Sequence, residues 1–210
     1  MRRRLLTMGV AALAMLTTLT ACNRDSSHQA TQSGSTSSSV SSSVSSSGSS
    51  SAAAQQHNQA DVTFAQHMIP HHQQAIEMSD TVLAKQGIDA RVIDMANRIK
   101  AAQGPEIQQM QSWLSQWGVP TMPMTPGSMA GHEVSGMMSE QDMNDLKSAD
   151  GVEASKLFLT QMIAHHQGAI TMGTDEIKNG QYPPAVSMAQ SIVTGQQREI
   201  TEMQGILASL

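Results

Sequence analysis

The feature that most constrains this chain is a stretch of eleven residues that is written twice. The copies begin at Met68 and Met162, and a phenylalanine stands four residues before each of them. They share the pattern F-x-x-x-M-I-x-H-H-Q-x-A-I-x-M at an offset of 94 residues. An internal repeat of this kind predicts a fold made of two related units. Each copy also brings together two histidines and two methionines, which supply nitrogen and sulfur donor atoms.

Apolar residues around each copy follow the spacing of a long amphipathic helix. In the first copy, two neighbouring seams are mostly apolar and contain one histidine each, His71 in one seam and His72 in the other. The second copy repeats both seams with His165 and His166. Because apolar seams face the interior, all four histidines are expected to be buried. Pro70 lies inside the first of these helices and predicts either a kink that opens the backbone before His71 and His72 or a local adjustment of the helix with no functional meaning.

Four helices are predicted, at about 61–86, 89–117, 152–179 and 183–210, and the sequence shows no alternating strand pattern. Asp61 is the expected N-cap of the first helix. The second helix recurs in the fourth at an offset of 93 residues. The expected architecture is therefore all-α, with two helix hairpins, at about 60–117 and 152–210, packed as a four-helix bundle in one domain over residues 55–210. Such bundles form their sites between facing helices.

The N-terminal part of the chain predicts export and lipid attachment. Residues 1–21 combine three arginines with an apolar run that is too short to span a membrane, as in a secretory signal peptide. They end in Leu-Thr-Ala before Cys22, which resembles a bacterial lipobox, so Cys22 is expected to carry lipid at the extracytoplasmic face of the cell envelope. The alternative is an ordinary signal peptide followed by an unmodified cysteine. Residues 22–54 are rich in serine and are expected to form a flexible linker.

Charge and cysteine content exclude several kinds of partner and site. The formal net charge is −5, and removal of the three signal-peptide arginines makes it −8. Nucleic acid is therefore not an expected partner. Cys22 is the only cysteine, so the sequence allows neither an internal disulfide nor a cysteine zinc site. A soft metal ion would have to be bound by methionine and histidine.

The paired histidines and methionines predict a metal site inside the bundle. A buried imidazole needs a partner for each ring nitrogen, or a metal ion on one of them. Imidazole and thioether together favour copper(I), although imidazole also suits copper(II). The alternative is that the histidines are hydrogen-bonded core residues and the methionines fill gaps between helices. The candidate ligands are Met68, His71, His72, Met78, Met162, His165, His166 and Met172.

A second cluster of donors lies in the link between the two hairpins, residues 118–138. This link contains proline and glycine breaks and has no apolar periodicity. Core packing explains its methionines poorly, because a surface loop has no core to fill. A second copper(I) site is therefore expected in the link, and the alternative is a methionine-rich lid folded over the bundle. The residues concerned are Met122, Met124, Met129, His132, Met137 and Met138.

Two pairs of polar residues occupy matched positions on the second and fourth helices. They are Gln103 with Glu106 and Gln196 with Glu199. Both glutamines fall on inner seams, where an unpartnered polar group is unfavourable. We expect these residues to contact the buried imidazoles and orient them toward a metal ion. A simple polar contact between helices is the alternative.

The paired M-I-x-H-H-x-x-A-I-x-M motifs, the duplicated hairpin and the lipobox resemble the family known as domain of unknown function 305. The resemblance covers about residues 55–210. It implies a ferritin-like helical bundle, secreted or periplasmic in bacteria, with copper binding and copper tolerance in some members. It also implies that the histidines and methionines of both motifs are the residues of interest. Pro70 and Glu77 of the first copy are Ala164 and Thr171 in the second, so the two halves need not bind equally.

The residues favour a binding protein rather than an enzyme. A carboxylate-bridged di-iron site requires Glu-x-x-His pairs, and the sequence has none. It also lacks a zinc protease motif and a Gly-x-Ser-x-Gly motif. The sequence therefore predicts a lipid-anchored extracytoplasmic protein that buffers, sequesters or transfers copper, with a copper donor or acceptor protein as its partner. The alternatives are a b-type haem bundle for electron transfer and a structural cell-surface interaction module.

Overall fold

The computed structural model describes residues 56–122 and 134–210. Within them the chain forms five helices and no strand, which confirms the prediction of an all-helical fold. The predicted signal peptide, Cys22 and the serine-rich linker lie outside the described residues, and so do Met124, Met129 and His132. The helices are α1 (Gln59–Leu83), α2 (Ala90–Trp117), α3 (Glu140–Ser148), α4 (Gly151–Asn179) and α5 (Pro183–Leu207). None of these five has the length and apolar character needed to cross a membrane.

The long helices pack mainly in two pairs. α1 makes its most extensive contacts with α2, and α4 makes its own with α5. The connections within the pairs, residues 84–89 and 180–182, are short, as is typical of neighbouring antiparallel helices. α1 and α4 also contact each other. The two copies of the repeated motif therefore meet, because α1 carries the first copy and α4 the second.

The start of α1 differs from the prediction. Asn58, not Asp61, is the N-cap, and its side chain accepts hydrogen bonds from the backbone amides of Ala60 at 2.8 Å and Asp61 at 3.2 Å. The Asp61 carboxylate in turn accepts a hydrogen bond from the Asn58 backbone amide at 2.6 Å. Asp61 is thus the third helical residue of a capping box. The Asp61 side chain can therefore also contact residues outside α1.

α3 is a helix that the sequence analysis does not predict. It starts with a capping box, in which the Ser139 hydroxyl accepts from the Asp142 amide at 3.1 Å and the Asp142 carboxylate accepts from the Ser139 amide at 2.9 Å. Met143 and Leu146 are its buried residues. Two apolar side chains in nine residues are too few to show a helical period, which explains the omission. The capping signal Ser-x-x-Asp was nevertheless visible.

Two prolines lie inside helices of the first pair. Pro70 is within α1 and Pro105 within α2, and both helices continue past them. Each proline removes one backbone hydrogen bond, which costs about 3 kcal/mol in a helix interior. The second copy of the motif has Ala164 in place of Pro70 and needs no such compensation. Packing against neighbouring helices must therefore stabilise α1 and α2 at these positions.

Methionine and aliphatic side chains fill the core, as the low aromatic content requires. Aromatic residues make up 2% of the chain, and the buried residues form two apolar clusters. Methionine fits such irregular spaces because its side chain is unbranched and flexible. The methionines with no exposed surface are Met68, Met78, Met95, Met110, Met162 and Met203.

A pair of buried carboxyl groups joins the start of α1 to the end of α4. Asp61 is fully buried, and its carboxylate accepts hydrogen bonds from the backbone amides of Gln181 at 3.1 Å and Tyr182 at 2.9 Å. Burial acts to raise the pKa of Asp61, but these hydrogen bonds lower it below its usual value. Glu176 is 1% exposed, and burial together with the neighbouring Asp61 carboxylate raises its pKa to about 8. At neutral pH Glu176 therefore keeps its proton.

We predict that Glu176 makes the protein less stable as the pH rises from about 4.5 to about 8. An unfolded glutamate ionises near pH 4.5, whereas folded Glu176 holds its proton to about pH 8. Between these values the folded state binds more protons, so this group lowers the free energy of unfolding by up to about 1.4 kcal/mol per pH unit. Glu176→Gln keeps a neutral side chain with N–H donors. In urea unfolding its stability advantage over the parent protein should grow from pH 4.5 to pH 8.

The exposed residue Glu140 provides a matched control, since Glu140→Gln should leave the shape of the pH profile unchanged. Between pH 7 and 8 an unfolded histidine is already mostly neutral, so Glu176 dominates the slope there. Parallel pH profiles for Glu176→Gln and the parent protein would contradict the raised pKa of Glu176.

Candidate metal centre

The candidate site is built around a direct contact between two histidines. His71 on α1 and His165 on α4 have no exposed surface, and their ring centroids are 3.6 Å apart with an interplanar angle of 33°. Both residues lie on the apolar seams that the sequence predicts. The contact forms because α1 and α4 bring the same position of the repeated motif to the same place.

Burial keeps both rings neutral. It is the main cause that lowers the pKa of His71 and of His165 well below 6.5, and the positive potential of neighbouring histidines acts in the same direction. The backbone of Ser135 approaches His71 and acts to raise its pKa, but neither ring nitrogen of His71 reaches hydrogen-bond geometry. The nitrogens of His165 also lack a hydrogen-bond partner. Four ring nitrogens with no partner are therefore concentrated at one point of the core.

The two outer histidines are each bound by a glutamate from the neighbouring helix of the pair. The His72 Nε2 atom lies 2.8 Å from the Glu106 carboxylate, and His166 Nε2 lies 2.7 Å from that of Glu199. Both histidines have no exposed surface, whereas the glutamate side chains are 24% and 22% exposed. In each ring the other nitrogen, Nδ1, is buried without a partner. The carboxylates thus occupy Nε2 of each ring and leave Nδ1 without a partner.

The two halves of the site have nearly the same internal geometry. The rings of His71 and His72 are 6.5 Å apart with an interplanar angle of 52°, and those of His165 and His166 have the same separation and angle. The glutamate contacts match to 0.1 Å. The repeat in the sequence is therefore a repeat in the geometry of the site.

Gln103 and Gln196 are buried close in sequence to these glutamates. They are 2% and 5% exposed, and the Oε1 atom of each amide has no hydrogen-bond partner. Of the four residues predicted to contact and orient a histidine, Glu106 and Glu199 make such a contact. The two glutamines do not. An unpaired buried polar atom costs about 1–3 kcal/mol. Several such atoms in the same core indicate a region suited to a bound ion.

The candidate methionine ligands lie in the apolar clusters. Met78 and Met162 belong to one cluster, while Met68 and Met172 belong to or pack against the other. Met172 is partly exposed, and the other three sulfur-bearing side chains are fully buried. These side chains contribute to the core whether or not they bind a metal. Their role as ligands stays a prediction.

The described His, Cys, Asp and Glu side chains do not by themselves form a complete metal site. Among residues 56–122 and 134–210, no three side chains of His, Cys, Asp or Glu converge as metal ligands. The donors do fit a soft or borderline ion in another way, because unpaired imidazole nitrogens lie among thioethers in a buried core. Imidazole nitrogens with thioether sulfur or amide oxygen are therefore the groups that would hold an ion here.

The C-terminal end of the methionine-rich link is fixed against α1 and α4. The Gln74 side-chain amide donates to the Met138 carbonyl oxygen at 2.9 Å, and its oxygen accepts from the Met138 backbone amide at 2.7 Å. Gly136 has a φ of 80° and touches the Gly168 backbone. Met137 and Met138 are partly buried there, and Met122 is partly buried at the other end of the link. The link is thus attached near the histidines, while its middle lies outside the described residues.

Gly168 is not among the residues for which the sequence predicts a role. A Cβ atom at this position would lie 1.9 Å from the Ser135 carbonyl oxygen, so only glycine permits this close approach of the link to α4. The first copy of the motif has Gln74 at the corresponding position. This difference between the copies was the sequence signal for the contact, because Gln74 and Gly168 hold the same end of the link in different ways.

Residues 61–207 match the family described as domain of unknown function 305 (DUF305). The chain belongs to the DUF305 family. Its fold is similar to that of a DUF305 protein from Streptomyces coelicolor that is described as secreted, with 32% identity, a TM-score of 0.65, and coverage of 71% of this chain and 93% of that one. A DUF305 fragment from Deinococcus radiodurans gives 32% identity, a TM-score of 0.65, and coverage of 73% and 98%. No curated protein sequence matches this chain.

A further similarity is to CopM, which has been crystallised with metal ions. The Cu(II)-bound form is 28% identical, with a TM-score of 0.58 and coverage of 71% of this chain and 96% of that one. Structures of CopM bound to Cu(I) and to silver are similar to this chain to the same degree. The fold of this DUF305 member is thus shared with a protein that binds copper and silver.

We predict that His72 and His166 of the metal-free protein carry their proton on Nε2. An ionised carboxylate can only accept, so Glu106 and Glu199 require Nε2–H, and in a neutral ring this leaves the lone pair on Nδ1. Long-range ¹H–¹⁵N correlation spectra of the imidazoles at pH 7 distinguish this tautomer. In Glu106→Gln the amide can either donate or accept, so His72 should lose its fixed tautomer and His166 should keep it. An Nδ1–H tautomer in the parent protein would contradict the assigned contact.

We also predict that Gly168→Ala releases residues 134–138 from α4. The new methyl group would overlap the Ser135 carbonyl oxygen, so the segment must move and the Gln74 bonds to Met138 should weaken. Hydrogen exchange of the Met138 amide should become at least about tenfold faster, which corresponds to about 1.4 kcal/mol. Gly195→Ala is a matched control in α5, because no atom lies within 4 Å of a Cβ there. Equal exchange rates in both variants would show that the close contact does not hold the segment.

Proposed function

We propose that this protein is an extracytoplasmic copper-binding lipoprotein that buffers copper or transfers it to another protein. The observation that carries the proposal is the contact of His71 with His165, two buried neutral imidazoles whose nitrogens have no hydrogen-bond partner. A core that served only packing would place apolar side chains there, since unpaired polar atoms destabilise it. Two matched histidines in such a position are better explained by a ligand.

The outer histidines support the same function. A histidine that binds a metal usually donates its other ring N–H to a carboxylate, which fixes the ring and makes the free nitrogen more basic. Glu106 and Glu199 provide this contact for His72 and His166. Imidazole and thioether ligands suit copper, and the thioethers of Met68 and Met162 favour copper(I). Met78 and Met172 are the other candidate sulfur ligands.

The comparisons support copper as the metal. CopM is similar in fold over 96% of its length, and its structures include forms bound to Cu(I), Cu(II) and silver. Silver and copper(I) are both soft ions that prefer sulfur and nitrogen ligands. We therefore favour copper(I) as the bound form in this protein.

Location and architecture complete the proposal. The Streptomyces coelicolor relative is described as secreted, which supports export of this chain, with lipid attached to Cys22 and the serine-rich residues as a tether to the membrane.

We further infer that α1, α2, α4 and α5 form a ferritin-like bundle from two duplicated hairpins. The matched His–His and His–Glu geometry of the two halves supports this.

The methionine-rich link fits the transfer of copper. Its C-terminal end is held beside the α1–α4 contact by Gln74 and Gly168. A thioether cluster could capture copper(I) from a donor protein and pass it to the histidines. In this function the protein binds and exchanges a metal ion and does not catalyse a reaction.

A haem site is less compatible with the geometry. A b-type haem with two axial histidines lies between their rings. The rings of His71 and His165 are 3.6 Å apart, which leaves no space for a porphyrin between them. Absence of a Soret band after incubation with haemin would support this conclusion. A purely structural module would differ from both, because it would bind no metal at all.

We predict that His71→Ala with His165→Ala lowers the affinity for copper(I) at least about a hundredfold. Each lost ligand should cost about 1.4 kcal/mol or more, and each 1.4 kcal/mol is a factor of ten. Anaerobic titration against a chromophoric copper(I) chelator measures the affinity, and circular dichroism checks that the variant folds. His57→Ala is the matched control, since His57 stacks on Trp117 at the start of α1, outside the histidine cluster.

A second variant separates the two candidate sites. Leucine at Met122, Met124, Met129, Met137 and Met138 removes the sulfur ligands of the link and keeps apolar side chains of similar size. If affinity falls only in this variant, the tight site lies in the link and the histidine site is contradicted. If neither variant nor the parent protein competes with the chelator, the copper proposal is wrong.

A further inference from the structure

The C-terminal end of the methionine-rich link forms a turn over the contact between α1 and α4. Residues 134–138, called the strap below, begin at buried Val134 and lead into α3, which lies in the groove between α1 and α4 and contacts both. The Met137 amide donates to the Val134 carbonyl oxygen at 3.3 Å. Gly136 supplies the positive φ of 80° that glycine adopts readily in such a turn. The strap is therefore a compact turn with its own hydrogen bond.

The strap contacts the same position of both motif copies. Gln74 on α1 and Gly168 on α4 are equivalent at the repeat offset of 94 residues. Gln74 makes two hydrogen bonds with the backbone of Met138. Gly168 lies against the backbone of Ser135 and Gly136. Because equivalent residues from the two copies touch one short segment, the strap crosses the place where the copies meet.

His71 and His165 lie one helical turn before these two contact points. Each precedes the strap contact on its own helix by three residues, which is about 4.5 Å along the helix axis. The backbone of Ser135 approaches the His71 ring. A Cβ atom on Gly136 would lie 2.8 Å from the carbonyl oxygen of Ala164, the residue before His165. The strap therefore covers the histidine pair on this side of the molecule.

Movement of the strap is the least disruptive way to reach this pair from solvent. Ser135 is exposed, whereas His71 has no exposed surface, so the strap stands between that ring and solvent. The helix pairs α1–α2 and α4–α5 have the most extensive contacts of the described chain, and separating them would expose the apolar clusters. Segments with few contacts open at a lower free-energy cost than packed helices.

α3 can stay bound while the strap moves. The Gln161 side chain donates to the Asp142 carbonyl oxygen at 2.8 Å, and Lys85 Nζ donates to the Lys147 carbonyl oxygen at 2.8 Å. Neither contact involves residues 134–138. The strap therefore has a fixed point at its C-terminal end, about which it can lift.

We propose that the strap is the gate of the metal centre, so that an ion reaches or leaves His71 and His165 when residues 134–138 lift from Gln74 and Gly168. This inference rests on the proposed function, because it concerns access to the same histidines. A gate that closes again over both the free and the loaded site changes the rates of uptake and release by the same factor. The affinity of the site then stays the same.

The competing route passes the glutamates on the other helices. The side chains of Glu106 and Glu199 are 24% and 22% exposed, and each binds a histidine that has no exposed surface. An ion on this route would have to displace a carboxylate from His72 or His166. The strap would then have no effect on ion exchange, so the two routes predict different results for strap variants.

Chemical modification of the metal-free full chain tests the gate without copper. Diethyl pyrocarbonate acylates neutral imidazole nitrogens that solvent reaches, and mass spectrometry gives the rate at each histidine. Gly168→Ala displaces the strap by overlap, and Gln74→Ala removes two of its hydrogen bonds without overlap. In both variants His71 and His165 should react at least about tenfold faster than in the parent protein.

Three controls show that such an increase comes from the strap. His72 and His166 should keep their rates, because loss of the whole fold would expose all four buried histidines. His57 is exposed and provides an internal reference for reagent concentration. Gly195→Ala should react like the parent protein, since a Cβ atom there meets no atom within 4 Å. Unchanged rates at His71 and His165 in both strap variants would overturn the proposal.

Copper kinetics then test the exchange of the ion itself. Protein loaded with copper(I) is mixed anaerobically with a chromophoric chelator, and the release rate is measured by stopped flow. Release from both strap variants should be at least about tenfold faster than from the parent protein, with affinity within about threefold. Release at the parent rate from variants whose histidines react faster would place the route at Glu106 and Glu199 and overturn the gate. A parent protein that binds no copper would contradict the proposed function, and the modification rates would still decide whether the strap controls access.

Discussion

The contact between the buried rings of His71 and His165 is the interaction on which the rest of this structure depends. It lies where α1 and α4 meet, so the two hairpins must be placed to bury both rings together. Unpaired ring nitrogens oppose folding, and apolar burial in the two clusters has to offset them. Methionine suits those clusters, because it packs around an irregular polar centre and still offers sulfur to a soft ion. Packing and binding therefore use the same residues.

The two halves agree at the centre and differ at the periphery. Both have a histidine pair, and both bind the outer histidine with a glutamate from the neighbouring helix. Away from the centre, the link is held by Gln74 on α1 but by close backbone contact at Gly168 on α4. The two motif copies are joined by one link, and its described end contacts α1 through Gln74 and α4 through Gly168, so the copies cannot be equivalent there. The asymmetry follows from the connectivity, while the centre keeps the symmetry of the repeat.

Much of the fold could be predicted because its long helices have a strong apolar period. The seams that contain His71 and His72 are buried as expected, and helix ends fall within three residues of the predicted bounds. α3 was missed since its stability comes from the groove it occupies, and a period cannot be read from nine residues. The N-cap of α1, which is Asn58 rather than Asp61, was not predicted for a related reason. Asp61 is recruited by amides at residues 181 and 182, about 120 residues away, which no local pattern reveals.

The candidate site, like the fold, could be predicted only in part from the sequence. Matched spacing was enough to select Gln103, Glu106, Gln196 and Glu199, but spacing alone could not say which member of each pair reaches a histidine. The glutamates do so because a carboxylate at the rim can remain partly solvated while it binds a buried imidazole, and this lowers the cost of its charge. The glutamines lie deeper, where a carboxylate would have to lose its water. Depth within the helix pair, rather than position in the repeat, therefore decides which polar side chain orients the ring.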